Sequence, residues 1–376
     1  MNAETAQVLE DQDFGPRHTA ELIGHADAER TLLNAASGGR LPHAWLFTGP
    51  KGIGKATLAF RFARYLFTHL PGGAEGGTSA AGGLFADDEI PAQLPDSLYV
   101  DPERPVFHRV ASGGHGDLMT VERKLNDRGK LSTQIRVEDV RAAIDFAHLT
   151  SSEGGYKVII VDGAELMNRS SENAFLKILE EPPAHCVIIM VSHNPGRLLP
   201  TTRSRCRTLA MKPLTTEQVT DLMTQHMPEV AANEAHELAR LSEGSIGRAM
   251  SLAAGGGLEI YRDVVNIFAS LPNLDGAAVQ ALATKLSKAG ADDAYYSGIE
   301  LYRWWLSRVV LAASRGADGD VSLSAEEQGI AARVAATSIL PIWLARLDQA
   351  ESLIRSADPL NLDRKQVILS LFLSLA

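Results

Sequence analysis

The nine residues at 49–57, Gly49-Pro50-Lys51-Gly52-Ile53-Gly54-Lys55-Ala56-Thr57, constrain this chain more than any other segment. Glycines at this spacing let the backbone turn so tightly that successive N–H groups converge on one point, and a phosphate is the group that satisfies them. Lys55 would then meet the outer phosphate oxygens. The residue after that lysine ordinarily offers a hydroxyl to a metal ion, and here it is Ala56. Thr57 carries a hydroxyl, but a step of one residue along a helix turns it ~100° away. Before the loop, 44–48 is a short apolar run, and after it 56–67 repeats apolar residues at helical spacing. Strand, loop and helix in that order are the context in which such a loop binds phosphate.

The same alternation continues downstream. Residues 135–149 have helical periodicity with Glu138, Asp139, Arg141 and Asp145 on an outer face, and 151–155 supply turn residues. A β-branched strand at 156–162 ends in Asp162. The helix at 171–181 carries Ala174, Phe175, Ile178 and Leu179 on one face and stops at Pro182-Pro183, and 186–191 is a second strand apolar on both sides. Strands alternating with helices predict an α/β P-loop core, a parallel sheet with helices on both faces.

Beyond Pro213 the texture is all helical. Thr215 with Gln218 forms a capping box before Val219, Leu222 and Met223. Helices are predicted over 231–242 and 245–254, with Gly255-Gly256-Gly257 as a hinge or linker. The apolar stretch 367–376 is ten residues long, about half of what a bilayer span needs, and reads as a core-facing helix. With 376 residues against roughly 100–200 per domain, three domains are expected: a core over 1–212, an all-α lid of three helices over 213–256, and an all-α C-terminal bundle over 257–376. The segment 70–84 holds six glycines and little that could be buried, so it is expected to be a surface insertion.

A formal charge of −10 argues against holding nucleic acid by bulk charge, although a local basic stripe stays open. Cys186 and Cys206 are the only cysteines, which excludes a four-cysteine zinc module and a disulfide framework and fits a reducing compartment. Residues 1–14 carry acids and no apolar core, unlike a signal or transit peptide. The expectation is a cytoplasmic chain with no membrane partner and no zinc.

Asp162 stands at the end of its strand, where a metal-binding acid is expected, and Gly163 follows it. Hydrolytic proteins of this build carry a second acid there to orient water. Glu165, two residues further, would serve only if the loop were remodelled. Ala56 and Gly163 thus leave two catalytic positions empty together.

The loop, Asp162, the run Asn173-Ala174-Phe175-Leu176-Lys177-Ile178-Leu179-Glu180-Glu181-Pro182-Pro183 and the segment Thr202-Arg203-Ser204-Arg205-Cys206 together resemble the AAA+ subunits of DNA sliding-clamp loaders, over about residues 17–255. The resemblance implies that Arg205 is an arginine finger reaching in trans to a neighbour's γ-phosphate. It also implies nucleotide contacts from Gly49, Gly52, Gly54, Lys55, Thr57 and Asp162, a sensor 1 position at Ser192-His193-Asn194 with Asn194 contributing, and a sensor 2 arginine, Arg248, facing the cleft from a helix start. Given Ala56 and Gly163, ATP or ADP would be held weakly or without hydrolysis. The implied partners are the tau/gamma motor subunits and the clamp-opening delta subunit, with the sliding clamp and primed DNA engaged through the complex. Family members often carry a four-cysteine zinc module between the loop helix and the Asp162 strand, and this chain has no cysteine there.

Other readings stay open on the residues alone. Arg203, Arg205 and Arg207 also suit one solvated face of an edge strand. Tyr302, Trp304 and Trp305 suit a core or subunit interface better than a ligand cage. An active ATPase of the same architecture, a small-molecule P-loop phosphotransferase and a scaffold with an empty loop are the functional rivals.

Overall fold

The computed structural model describes residues 15–38, 41–70, 95–125, 132–316 and 322–375, so the glycine-rich insertion lies, beyond Leu70, outside the described residues. The chain forms two compact units, one reaching to Gln218 and the other running Val219–Ala376.

The first unit is built on five strands, β1 Ala44–Thr48, β2 Leu118–Val121, β3 Lys157–Asp162, β4 Cys186–Ser192 and β5 Arg207–Ala210. Among the described residues they form one sheet in the order β2-β3-β4-β1-β5, parallel throughout. Every side chain of β1 and β4 is buried, which is why these strands read as continuous apolar runs. The period of two divides those side chains between two layers. Trp45, Phe47, Val158, Ile160, Val187, Ile189 and Val191 face α1 (Ala26–Ser37), α2 (Lys55–His69) and α3 (Pro105–Ala111). Leu46, Ile159, Val161, Ile188 and Met190 face α4 (Val137–His148) and α5 (Arg169–Glu180). Each such side chain contributes about 1.5–3 kcal/mol, so the two layers hold the sheet from both sides.

Parallel pairing sets every strand running the same way, so each strand end lies on one of two opposite edges. The loop at 49–54 leaves the carboxyl edge after β1, and Asp162 closes β3 at that same edge. Helix α5 returns from there toward the amino edge. Asn168 starts it, its side chain accepting the Ser171 N–H at 2.9 Å, and it ends at Glu180 just before Pro182-Pro183. After β4 the chain crosses back through the short α6 (Pro200–Arg203) to begin β5 at Arg207, which pairs with Trp45 near the start of β1. Arg205 therefore lies off the amino edge.

Helix α7 (Thr216–His226) spans the boundary between units, and its predicted capping box is formed: the Thr215 N–H donates to Gln218 Oε1 at 2.9 Å and the Gln218 N–H to Thr215 Oγ at 3.2 Å. The second unit continues with α8 (Ala232–Leu241), α9 (Ile246–Ala254), α10 (Gly257–Ala269), α11 (Gly276–Leu286), α12 (Asp292–Arg315), α13 (Ala325–Ala335), α14 (Leu340–Ala357) and α15 (Arg364–Leu373). The 24-residue α12 is its spine, with α10, α13 and α14 packed along it. Tyr302, Trp304 and Trp305 are buried there, Trp305 stacked on Phe268 at 5.6 Å, so the aromatic cluster is core. The glycines at 255–257 are not a loose linker. Gly256 takes the left-handed conformation and Gly257 already opens α10, packed so closely on Leu252 that a side chain there would collide with its carbonyl. Among the described residues, no single helix is long and apolar enough to cross a membrane.

Candidate functional site

The loop after β1 is held from three sides. Met211 N–H donates to the Thr48 carbonyl at 2.8 Å, and Gly49 passes so near the Met211 carbonyl oxygen that any side chain on it would overlap that atom. Gly49 also has φ +143°, a conformation that suits glycine and little else. Since a carbonyl only accepts, the His25 Nε2–H donates to Ile53 O, at 2.6 Å, and the buried imidazole is shifted below its ordinary pKa first by desolvation. Gly54 then stands left-handed at the start of α2, leaving the first-turn amides of that helix facing the loop.

Lys55 is 3% exposed and its Nζ donates to the carbonyls of Gly49, at 2.8 Å, and Pro50. Burial lowers its pKa to about 8 against the opposing pull of Asp162 and Glu165. Asp162 is the counterpart, a half-buried carboxylate pushed up to about 6 by desolvation and then by Glu122, with Lys55 acting the other way. Ala56 is half-buried and offers no oxygen; Thr57, next to it in the first turn of α2, is also half-buried. Among the described residues, no trio of His, Cys, Asp or Glu is arranged to hold a metal ion.

Glu165 is where the structure departs most from expectation. Gly163 adopts φ +72° and the chain makes one tight turn, Ala164–Leu166, so the residue three beyond Asp162 returns to the same side. Glu165 is only 8% exposed, and its Oε1 accepts the His193 N–H at 3.0 Å. Its Oε2, the Ser192 hydroxyl and His193 Nδ1 are buried and have no hydrogen-bond partner in the protein. Three orphaned polar atoms at the end of β4, beside a buried lysine, fit a polar ligand such as a phosphate chain with its waters. Burial first, and then the charge of Lys55, drives the His193 imidazole down to about 4, so it is neutral at pH 7. Asn194 is exposed and opens the turn Pro195–Arg197 instead. The loop glycines, Lys55 and Asp162 are thus brought together, and they are joined by Glu165, which the sequence admitted only with a remodelled loop, and by His193 of the expected sensor 1 stretch. The glycine after Asp162 was the available signal, because a left-handed residue there is what turns Glu165 inward. Arg248 belongs to the helical unit, in the first turn of α9. Its N–H donates to the Ser245 side chain at 3.1 Å, and its guanidinium lies 3.3 Å from Glu243 and 3.7 Å from Glu300.

The Ser-Arg-Cys segment is anchored by α5 at two points. Buried Glu172 accepts the Leu199 N–H at 2.6 Å, and Glu180 Oε1 lies 2.7 Å from Arg205 Nη2. Arg205 Nη1 also donates to the Thr201 carbonyl at 2.9 Å. Of the three arginines, only Arg207 belongs to the edge strand, its guanidinium 5.0 Å over the Trp45 ring; Arg203 closes α6 and Arg205 lies between. The Cys206 thiol is pushed up to about 12 by burial and sits 3.7 Å from Met190 Sδ, an inert core contact.

Comparison with known proteins follows this geometry. A DNA polymerase III subunit delta' from Pseudomonas aeruginosa is 34% identical over 230 residues, covering 61% of each chain. DNA polymerase III subunit tau from Escherichia coli strain K12 is 28% identical over 342 residues, 88% of this chain and 45% of that one. Less than two thirds of either relative's length is therefore matched. Among solved structures, the RuvB Holliday junction branch migration motor of Thermotoga maritima aligns over 83% of this chain and 90% of its own at 17% identity and a TM-score of 0.40. The profile of the family described as DNA polymerase III, delta subunit matches residues 24–215, the stretch that carries the loop, Asp162 and the Ser-Arg-Cys segment, and the chain belongs to that family.

Proposed function

We propose that this chain is a delta-prime-type, non-motor AAA+ subunit of the DNA polymerase III clamp loader, acting through Arg205 on a neighbour's ATP. The observation that carries this is the placement of the two cations on opposite edges of one sheet. The loop with Lys55 leaves the carboxyl edge, where ligands of open α/β sheets bind, and Arg205 precedes β5 at the amino edge. A strand of five residues separates the edges by about 16 Å, so Arg205 serves a phosphate on another subunit and not its own.

The chain's own cleft would hold ATP or ADP without efficient turnover, since Ala56 gives the metal no hydroxyl and Gly163 orients no water. Gly49, Gly52, Gly54, Lys55, Thr57 and Asp162 would hold the nucleotide. His193, rather than exposed Asn194, would face its outer end, and Arg248 would act as sensor 2. Residues 213–256 would form the lid and 257–376 the collar that joins tau/gamma and delta subunits. The assembly would open the sliding clamp and load it on primed DNA in the cytoplasm, touching DNA through phosphates.

The test mixes the chain with tau/gamma and delta partners and compares clamp- and DNA-stimulated ATP hydrolysis for wild type and Arg205→Ala. At the one site served, hydrolysis should fall by about 10³-fold or more, the usual contribution of an arginine finger. A variant that assembles and hydrolyses normally would falsify the finger role. Buried Glu165, with its free oxygen, favours one second reading, a slow ATPase in the chain's own cleft. Turnover by the isolated chain, lost in both Lys55→Ala and Glu165→Gln, would establish it.

A further inference from the structure

Glu180 is the last residue of α5, where unsatisfied carbonyls already carry partial negative charge and an acid is unfavourable on its own account. What it meets there is Arg205, at 2.7 Å, with the pair turned toward solvent: the side chains are 49% and 35% exposed. We propose that Glu180 is a latch that stores the finger on its own subunit, and that a neighbour's triphosphate must displace this carboxylate before Arg205 can act. The inference rests on the finger reading above.

The physical case has three parts. A guanidinium has five N–H donors, and in the stored state Nη2 is ion-paired with Glu180 while Nη1 donates to Thr201 O, so both outer nitrogens are engaged within the subunit. The carboxylate cancels the charge that a finger exists to deliver, so the pair offers an approaching phosphate little net attraction while it persists. The frame that holds the latch is tied to the finger segment, since α5 is capped by Asn168 at its far end and Glu172 in its first turn accepts the N–H of Leu199, the start of that segment. An ion pair this exposed shifts an equilibrium only roughly 1.5- to 5-fold, so the latch biases the finger and does not block it.

The experiment uses the assembled complex with wild type, Glu180→Gln, Glu180→Asp, Arg205→Ala and the Glu180→Gln/Arg205→Ala double variant, each checked for assembly and thermal melting. Glu180→Gln should lower the ATP concentration for half-maximal stimulated hydrolysis by about 1.5- to 5-fold, with kcat within about twofold of wild type and Glu180→Asp falling between. The gain should shrink as salt rises from ~0.05 to ~0.5 M, because the screening length drops from about 14 to about 4 Å, a change a purely structural role would not track. It should vanish in the Arg205→Ala background. An unchanged or raised half-maximal concentration for Glu180→Gln, a fall in kcat, or a gain that survives Arg205→Ala would overturn the latch. If Arg205→Ala is impaired while Glu180→Gln behaves as wild type, the latch alone fails; if Arg205→Ala is fully active, the finger reading fails and the latch with it.

Discussion

Lys55 and Arg205 are both cations at the rim of one sheet, and they are housed in opposite ways. Lys55 is buried, desolvated to a pKa of about 8, and bonded to the carbonyls of the loop that surrounds it. Arg205 is a third exposed and held by one carboxylate and one carbonyl. A cation that binds a ligand within its own fold can be enclosed, because the ligand comes to it and the low dielectric strengthens their attraction. A cation meant for a ligand on another molecule has to remain near solvent, with contacts weak enough to exchange. On the proposed reading, burial would separate a residue's own site from a site it lends.

Substitutions can break or sharpen that contrast. The largest effect is expected at Gly49, where alanine would meet the Met211 carbonyl oxygen in a conformation that disfavours any side chain; a loss of about 2–3 kcal/mol in denaturant unfolding, with loss of nucleotide binding, is expected. Stability equal to wild type would mean the loop is not as constrained as its geometry. Replacing Gly163 by Glu, which restores the missing acid in name, should cost about 1–2 kcal/mol, because φ is +72° and the new Cβ would press on Leu166. Hydrolysis should not appear, and any vigorous turnover would show that the cleft lacked only this residue.

Titration of the Lys55 ammonium predicts a pH effect on the cleft. Its charged fraction falls from about nine-tenths at pH 7 to about one-tenth at pH 9 when the pKa is about 8. Nucleotide affinity, measured by fluorescence titration, should therefore decline up to about ninefold as pH rises through that range, whereas a flat profile would place the phosphates away from Lys55. The smallest effect is expected for Ala56→Ser, which returns one hydroxyl to the metal position and should raise magnesium-nucleotide affinity about two- to tenfold. No change with magnesium present would mean that the loop never presents that position to a metal.

The central part of the sheet is legible in the sequence because β1, β3 and β4 are buried on both faces and leave unbroken apolar runs. The edges are not. In β2 only Val121 is fully buried, and in β5 only Leu209, and each strand is just four residues, so neither leaves an apolar run long enough to announce itself. Lys55 and Asp162 are legible because strand ends on one edge of a parallel sheet must lie near one another. Glu165 and His193 lie in segments the sequence already marks, but the inward turn of Glu165 is hidden, since it depends on one left-handed glycine and a single turn that no periodicity announces. Likewise, Glu172 and Glu180 look like ordinary outer-face acids of an amphipathic helix, and only the return of the chain after β4 gives them partners.

The outer strand next to Arg205 limits how another subunit can dock there. Among the described residues β5 pairs with β1 on one side and with no strand on the other, yet it offers just four residues, and Arg207 and Thr208 are exposed on it. Joining backbone to backbone across so short a border would form only about two hydrogen bonds, too few to define a register. A neighbour meeting this flank would gain little by extending the sheet, and its recognition would rest on side-chain chemistry.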